Sequence, residues 1–244
     1  MIYAFRSDRG MRKKNEDSLY IPAEGNIPLV IVADGMGGHI AGEVASNTAV
    51  KKIVDHIERA PKGQNMIALL RQAVNSANRA VFDMAMSDDS YTGMGTTVVM
   101  ALLEPDKYVV ANIGDSRLYY FDGSRLRRVT RDHSYVQELV SSGAITEEQA
   151  KNHPQRNLVT RSVGTARYEK ADVGVKSWKR GDILLLCSDG LCGSIDDNEM
   201  EKILRTTKNL LECCNRLTEL ALDRGSSDNI TVIMVRNSEA GAND

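Results

Sequence analysis

Six residues from Leu29 to Asp34, LVIVAD, constrain this chain more than any other stretch: an unbroken apolar run that ends on a carboxylate and gives way to Gly35-Met36-Gly37-Gly38-His39. The run reads as a buried strand, and the glycine-rich positions after Asp34 as the place where it stops. An acid held at a strand end beside bare backbone suits a hard cation, because the Asp34 carboxylate and an approachable Gly35 carbonyl are both oxygen ligands. An isolated Asp-Gly would mean only a turn.

The pattern recurs. Asp115 interrupts the run KYVVANIGDSRLYYFDG just after a glycine, Asp189 closes GDILLLCSDG, and Asp228 opens DNITVIMV. Gathering several like charges at one sheet edge is costly unless something cancels them, and divalent cations would do so. A set of oxygens without partnered His or Cys disfavours a typical zinc site and favours Mg2+ or Mn2+. Two such ions about 3.5 to 4 Å apart can share a water, lower its pKa from ~15.7 towards neutrality and aim it at phosphorus. That chemistry is a hydrolase without a covalent nucleophile.

Around these acids the chain alternates between two textures. Ile2 to Phe5 is strand-like and leads through Gly10 into a charged segment, Arg12 to Asp17, where Arg12 offers a planar fork suited to phosphate. Apolar residues at helical spacing predict one helix from Ala45 to Ile57, ended by Pro61-Lys62-Gly63, and a second from Leu70 to Met84. Both are one-sided and should cover a sheet. Gly93 to Glu104 and Lys107 to Gly123 are β-branched or aromatic runs whose short connections favour antiparallel hairpins. From Thr130 to Arg167 a polar insertion carries two short helical patterns with Ser134 and Thr146 as N-caps, Gln149 completing a capping box. It reads as a flap beside a site, and His133 and His153 within it read as structural. Strands then resume at DVGVKSW and GDILLLC, followed by a helix through Leu210 to Ala221 and the last strand.

With 244 residues and no linker, repeat or low-complexity block, residues 1–237 are expected to form one domain, with the flap at about 130–167 and a flexible tail at 238–244. The formal charge of -2, with no basic run beyond Arg12 to Lys14, disfavours nucleic acid as a partner. No apolar run approaches the ~20 residues of a membrane helix, and MIYAFRSDRG lacks the apolar core of a signal peptide, so a cytoplasmic protein with no membrane association is expected. Cysteines at 187, 192, 213 and 214 show no zinc spacing, and Cys187 reads as a small buried hydrophobe.

GMRKKNED, VADGMGGHIAGEVAS, GMGTT, IGDSRLY, DHS, LCSDGL and SSDNITV, taken in this order from Gly10 to Val235, resemble the protein phosphatase 2C family of metal-dependent serine/threonine phosphatases, with DGMGGH similar to its bacterial branch. The resemblance implies an α+β fold, a four-layer α-β-β-α sandwich of two antiparallel sheets flanked by helices. It implies that Asp34 bridges two metals, that Gly35 lends its carbonyl, and that Asp189 and Asp228 complete the first metal's ligands. Glu16 and Asp17 match the acidic pair supporting the second metal, Asp115 with Asp189 the acids of a third, and Arg12 the phosphate-binding arginine. Asn229, after the last ligand, would support the ligands from behind. Mn2+ or Mg2+, two and possibly three per chain, are the implied cofactors. Phosphorylated proteins and a cognate serine/threonine kinase are the implied partners of a monomer. One departure from the family concerns the proton donor. Members that use a general-acid histidine carry it directly after Asp-Gly, where this chain has Met36, so His39 or a water at the metals takes the role of protonating the leaving oxygen. A catalytically dead scaffold that binds phosphoproteins would have lost metal acids, and none is lost. A two-metal nuclease would need a basic groove that this charge balance does not provide.

Overall fold

The computed structural model describes residues 1–37, 41–61 and 63–238. Its strands are β1 (Ile2–Asp8), β2 (Asp17–Tyr20), β3 (Leu29–Met36), β4 (Gly95–Thr96), β5 (Val98–Leu103), β6 (Lys107–Ile113), β7 (Arg117–Phe121), β8 (Leu126–Arg128), β9 (Asp172–Ser177), β10 (Ile183–Cys187) and β11 (Ile230–Arg236). Helices α1 (Ala41–Glu58) and α2 (Met66–Ser87) follow β3. Two short helices, α3 (Tyr135–Ser141) and α4 (Glu147–Lys151), lie between β8 and β9. A single turn α5 (Asp189–Cys192), then α6 (Asp197–Thr206) and α7 (Leu210–Asp223), precede the last strand.

The strands form two antiparallel sheets. One has the order β1-β11-β10-β7-β8; the other runs β2-β3-β5-β6-β9, with β4 paired to the end of β3. Three apolar cores separate four layers. Leu29, Ile31 and Ala33 face α1 and α2, while Val30 and Val32 of the same strand face the second sheet through Leu184, Leu186 and Ile233. A strand buried on both faces has to be apolar at every position, which is why Leu29 to Ala33 shows no alternation. The third core packs α6 and α7 on the outer face of β10 and β11 through Leu185, Met200, Leu204 and Leu217.

Three features depart from the sequence reading. β3 does not stop at Asp34: it continues to Met36, because Gly35 and Met36 pair with Thr96 and Gly95 of β4. The run from Lys107 to Gly123 is not confined to one sheet. Gly114, at φ +105, turns the chain out of the β2-β3-β5-β6-β9 sheet, and β7 enters the other one, so Asp115 sits where the two sheets meet. Helix α6 has no counterpart in that reading, yet it carries its own start signal, an Asp196/Glu199 capping box. The helices α3 and α4 and their caps lie where the sequence puts them, Thr146 and Gln149 included. Of the tail expected from 238 onward, residues 239–244 lie outside the described residues.

Candidate active site

The acids arrive from five separate stretches of chain, each delivered by a different structural device. Register places Asp17 of β2 directly opposite Asp34 of β3. Cross-strand partners have Cβ atoms only about 4.5–5.5 Å apart, and like charges there repel. Asp34 is fixed along its backbone by Thr97 Oγ1, which accepts from its N–H at 3.0 Å, and by Thr96 Oγ1, which donates to its carbonyl at 2.8 Å. A Cβ at Gly35 would lie 2.1 Å from the Gly42 carbonyl oxygen and 2.6 Å from that of Glu16. Glycine is therefore required for α1 and the Glu16 backbone to close on the end of β3.

Asp189 starts α5 directly after β10, and the preceding Ser188 donates to Asp17 Oδ2 at 2.8 Å while accepting from the Thr231 N–H at 3.0 Å. One hydroxyl thus couples β2, β10 and β11 beneath the acids. Asp228 stands just before β11, and Arg12 donates to its Oδ2 at 2.7 Å through Nη2 and to the Ser227 carbonyl at 3.2 Å through Nε. Arg12 remains about half exposed, at 54%, which leaves part of its fork in solvent. Gly10, at φ +56, brings the preceding turn so close to the Asp228 carbonyl that a Cβ there would lie 2.2 Å from it.

Asn229 does something the sequence did not suggest. Its Nδ2 donates to the carbonyls of Arg9 and Lys14 at 2.9 and 2.8 Å, and its Oδ1 accepts from the Glu16 N–H at 2.8 Å. Its backbone N–H donates to Asp228 Oδ1 at 2.8 Å, so it backs that carboxylate through its main chain while its side-chain amide ties down the loop that carries Arg12 and Glu16. Thr96, Thr97, Ser116 and Ser188 were also missed as site residues; the Thr96 hydroxyl donates to the Asp34 carbonyl at 2.8 Å, and the Thr97 and Ser116 hydroxyls are hydrogen-bonded to each other at 2.7 Å. The small hydroxyls flanking the acids in GTT, GDS and CSD were the available signal. His133, on the segment after β8, accepts from the Gly114 N–H at 3.1 Å through Nδ1 and donates its own N–H to the Gly114 carbonyl at 2.9 Å. Its Nε2 lies 3.2 Å from Asp172 Oδ2, off the line of a good hydrogen bond. It braces the turn that presents Asp115. His39 lies outside the described residues.

Electrostatics follow from this crowding. Burial, augmented by Asp189, Asp228 and other acids, pushes Asp17 and Asp115 up to about 7, and burial with repulsion from Asp17, Asp189, Asp115 and Asp228 raises Asp34 as well. Asp189 is raised by burial and by Asp228, against a hydrogen bond with Asp34 and the nearby arginines. Two bare carboxylates cannot make such a contact without a shared proton or a cation between them. Asp17, Asp34 and Asp189 keep a partly exposed edge, yet enough protein surrounds each of them to desolvate its charge.

A divalent cation fits this donor set. Buried oxygens Oδ1 of Asp17 and Oδ1 of Asp189 have no hydrogen-bond partner, in a site whose other donors are also oxygen. Among the described residues no three or more His, Cys, Asp or Glu side chains already form a complete ligand cage. Mg2+-like ions need only one or two carboxylates each and keep several waters, so separate carboxylates suffice for them. Asp34, Asp189, Asp228, Asp17 and Asp115 converge with Arg12 and the Glu16 backbone at one end of the two sheets.

Residues 6–223 match the model of the protein phosphatase 2C family. The serine/threonine phosphatase stp of Listeria monocytogenes is 40% identical over 236 residues, spanning 95% of this chain and 94% of that one. Among solved structures, the serine/threonine phosphatase Stp1 from Staphylococcus aureus superimposes with a TM-score of 0.90 at 37% identity, over 96% of this chain and 94% of that one. The catalytic domain of the phosphatase PstP in complex with two manganese ions gives 0.85 at 37% identity, over 96% of each chain. Sheet order, layers, ordered motifs and these similarities agree: the chain belongs to the protein phosphatase 2C family and is a protein phosphatase of that metal-dependent type.

Proposed function

We propose that the chain hydrolyses phosphoserine and phosphothreonine monoesters in proteins with Mn2+ or Mg2+ held by Asp34, the Gly35 carbonyl, Asp189 and Asp228, with Glu16 and Asp17 on the side of a second ion. Asp115 and Asp189 together would hold a third. The observation that carries this reading is the convergence of acids from separate strands around unsatisfied buried oxygens on Asp17 and Asp189, beside an exposed arginine. When bound, such ions supply Lewis acidity and an acidified water for attack on phosphorus.

The chain's own residues supply positioning and charge. Arg12 accompanies the phosphate: its planar fork, anchored on Asp228 and the Ser227 carbonyl, offers its solvent-facing part to non-bridging oxygens. Ser188 and Thr97 hold Asp17 and Asp34 in the orientation that opposes their charges across the β2–β3 pair. His39 is the side chain proposed to return a proton to the leaving serine or threonine oxygen. The natural opponent of such an enzyme is a serine/threonine kinase in the cytoplasm, with the phosphatase acting as a monomer. No helix among the described residues is long and apolar enough to cross a membrane, which is compatible with this placement.

The test compares phosphopeptide, aryl phosphate and oligonucleotide cleavage with added Mn2+. Asp34→Ala and Asp189→Ala are expected to lose more than the roughly 100-fold that residues behind metal ligands typically cost. Arg12→Ala should mainly raise KM. Activity retained by Asp34→Ala at saturating Mn2+, or preference for the oligonucleotide, would overturn the assignment.

A further inference from the structure

Thr97 stands between β4 and β5, directly opposite Asp34, because the register that pairs Val32 with Val99 and Gly35 with Thr96 runs through it unbroken. An ordinary antiparallel pair of this kind exchanges two backbone hydrogen bonds. Here one of them is replaced. The Thr97 N–H donates to the Asp34 carbonyl at 2.8 Å, but the Asp34 N–H donates to the Thr97 hydroxyl at 3.0 Å instead of to the Thr97 carbonyl. The strand end that carries Asp34 is thus set by a side chain, and two contacts hold that side chain in turn. A Cβ at Gly114 would lie 2.6 Å from both Cβ and Cγ2 of Thr97, so the methyl side of Thr97 packs on bare backbone and its rotamer is fixed. Its hydroxyl is hydrogen-bonded to Ser116 at 2.7 Å. Ser116 follows Asp115 on the crossing from β6 to β7, where the chain passes from one sheet to the other. Thr97 is 2% exposed and Ser116 0%, so bulk water replaces neither hydroxyl.

We propose that Ser116 is a positioning residue for metal binding, acting across the boundary between the sheets through the Thr97 hydroxyl on Asp34. Two hydrogen bonds and one peptide link join Asp34, Thr97, Ser116 and Asp115 in a single chain, so the acid at the end of β3 and the acid at the sheet crossing are set by one device. Removing either hydroxyl leaves the other unpaired where water does not reach it, which is the costly way to lose a hydrogen bond. Without Ser116 the Thr97 hydroxyl is free to seek another partner, and the Asp34 N–H is free to return to the Thr97 carbonyl, its ordinary ladder partner. Either change turns the end of β3 and moves the Asp34 carboxylate. His133 differs, since its two bonds go to Gly114 and fix the turn without touching β3. Neither Thr97 nor Ser116 reaches the solvent side of the site, so neither meets the phosphate, and their effect falls on the ions rather than on the substrate. The bearing on metal rests on the metal-site reading above; the hydrogen bonds do not.

The experiment titrates Mn2+ into the metal-free full chain by isothermal titration calorimetry, with thermal unfolding in chelator and phosphopeptide kinetics over a range of Mn2+ in parallel. Ser116→Ala, and Thr97→Val, which removes the hydroxyl and keeps the shape, should each bind Mn2+ roughly 10–100-fold more weakly, as groups behind metal ligands do when lost. The Mn2+ concentration for half-maximal turnover should rise by the same factor, while KM for the phosphopeptide at saturating Mn2+ stays at the parent's value. Thr97→Ser keeps the hydroxyl and should bind Mn2+ like the parent. The double variant should bind like Thr97→Val alone, because that change already removes the bond Ser116 makes. Unchanged Mn2+ affinity in Ser116→Ala and Thr97→Val, whatever happens to Tm, would overturn the proposal, as would Thr97→Ser binding as weakly as Thr97→Val or losses that add in the double variant. Should Ser116→Ala not fold, the comparison of Thr97→Val with Thr97→Ser decides. A parent that binds no Mn2+ would overturn the metal-site reading and this proposal with it, whereas a parent that binds and variants that bind equally well sink this proposal alone.

Discussion

Replacing Asp115 with asparagine should make the metal-free protein relatively more stable as pH rises. Asp115 is only 9% exposed, and burial with the charges of Asp189 and Asp132 moves it from an ordinary 3.8 up to about 7. The sign follows from proton binding. Between those values the folded chain holds a proton that the unfolded chain has released, so the stability this carboxyl contributes is complete below 3.8 and lost as pH rises through 7. At about 1.36 kcal/mol per pH unit, the interval from pH 5.5 to 7 accounts for about 2 kcal/mol, after which the loss levels off. Asparagine does not titrate, and whatever its amide costs in that pocket is the same at both pH values. The difference in Tm between Asp115→Asn and the parent should therefore move in favour of the variant by roughly 4–8 °C between about pH 5.5 and pH 8, taking about 2–4 °C per kcal/mol for a chain of this size. Thermal unfolding in chelator, monitored by circular dichroism, measures it. Saturating Mn2+ should flatten the parent's pH dependence, because a cation replaces the proton. A Tm difference that stays constant over this range would refute the claim that Asp115 is a buried, titrating member of the acid cluster.

Other perturbations separate the scaffold from the chemistry. Asn229→Ala removes three hydrogen bonds to the Arg9–Glu16 loop and should cost roughly 2–4 kcal/mol in chemical denaturation, with a raised KM through the loosened Arg12. Gly35→Ala pushes a methyl into the Gly42 and Glu16 carbonyls and should destabilise by about 3 kcal/mol, at the upper end of overpacking, with turnover lost. Burial holds His133 below its ordinary 6.5, against the pull of Asp172, so stability is present above that value and lost as pH falls below it, opposite in sign to Asp115. His133→Asn, which can keep an acceptor near Nδ1 without titrating, should unfold less readily than His133→Ala and show a shallower acid limb than the parent.

What the sequence disclosed depended on how local each signal was. Buried strands such as Leu29 to Ala33 and the caps at Ser134 and Thr146 are written in adjacent residues, and they lie where periodicity puts them. Asp34, Asp115, Asp189 and Asp228 were found because each borders or interrupts an apolar run, whereas Glu16 and Asp17 came only from the resemblance to the family. Helix α6 escaped because its apolar residues Met200, Ile203 and Leu204 are few among charged neighbours, although Asp196 and Glu199 announced its start. The change of sheet at Gly114 was illegible for a different reason: β6 and β7 are equally apolar, and only packing decides which neighbours each one takes. Asn229 could be placed next to Asp228 by position, but the three partners of its side chain lie more than 200 residues away in sequence, beyond any local pattern.

The pairing of β1 with β11 bears on how the enzyme is made. Arg12, Glu16 and Asp17 lie 216, 213 and 171 residues before the Asp228, Asn229 and Ser188 anchors that hold them. The loop that carries Arg12 therefore has none of these anchors until β10 and β11 have been made, and closing it is a long-range step. Because β11 lies between β1 and β10, a truncation before Ile230 removes the strand that joins them and is expected to abolish turnover completely rather than partly.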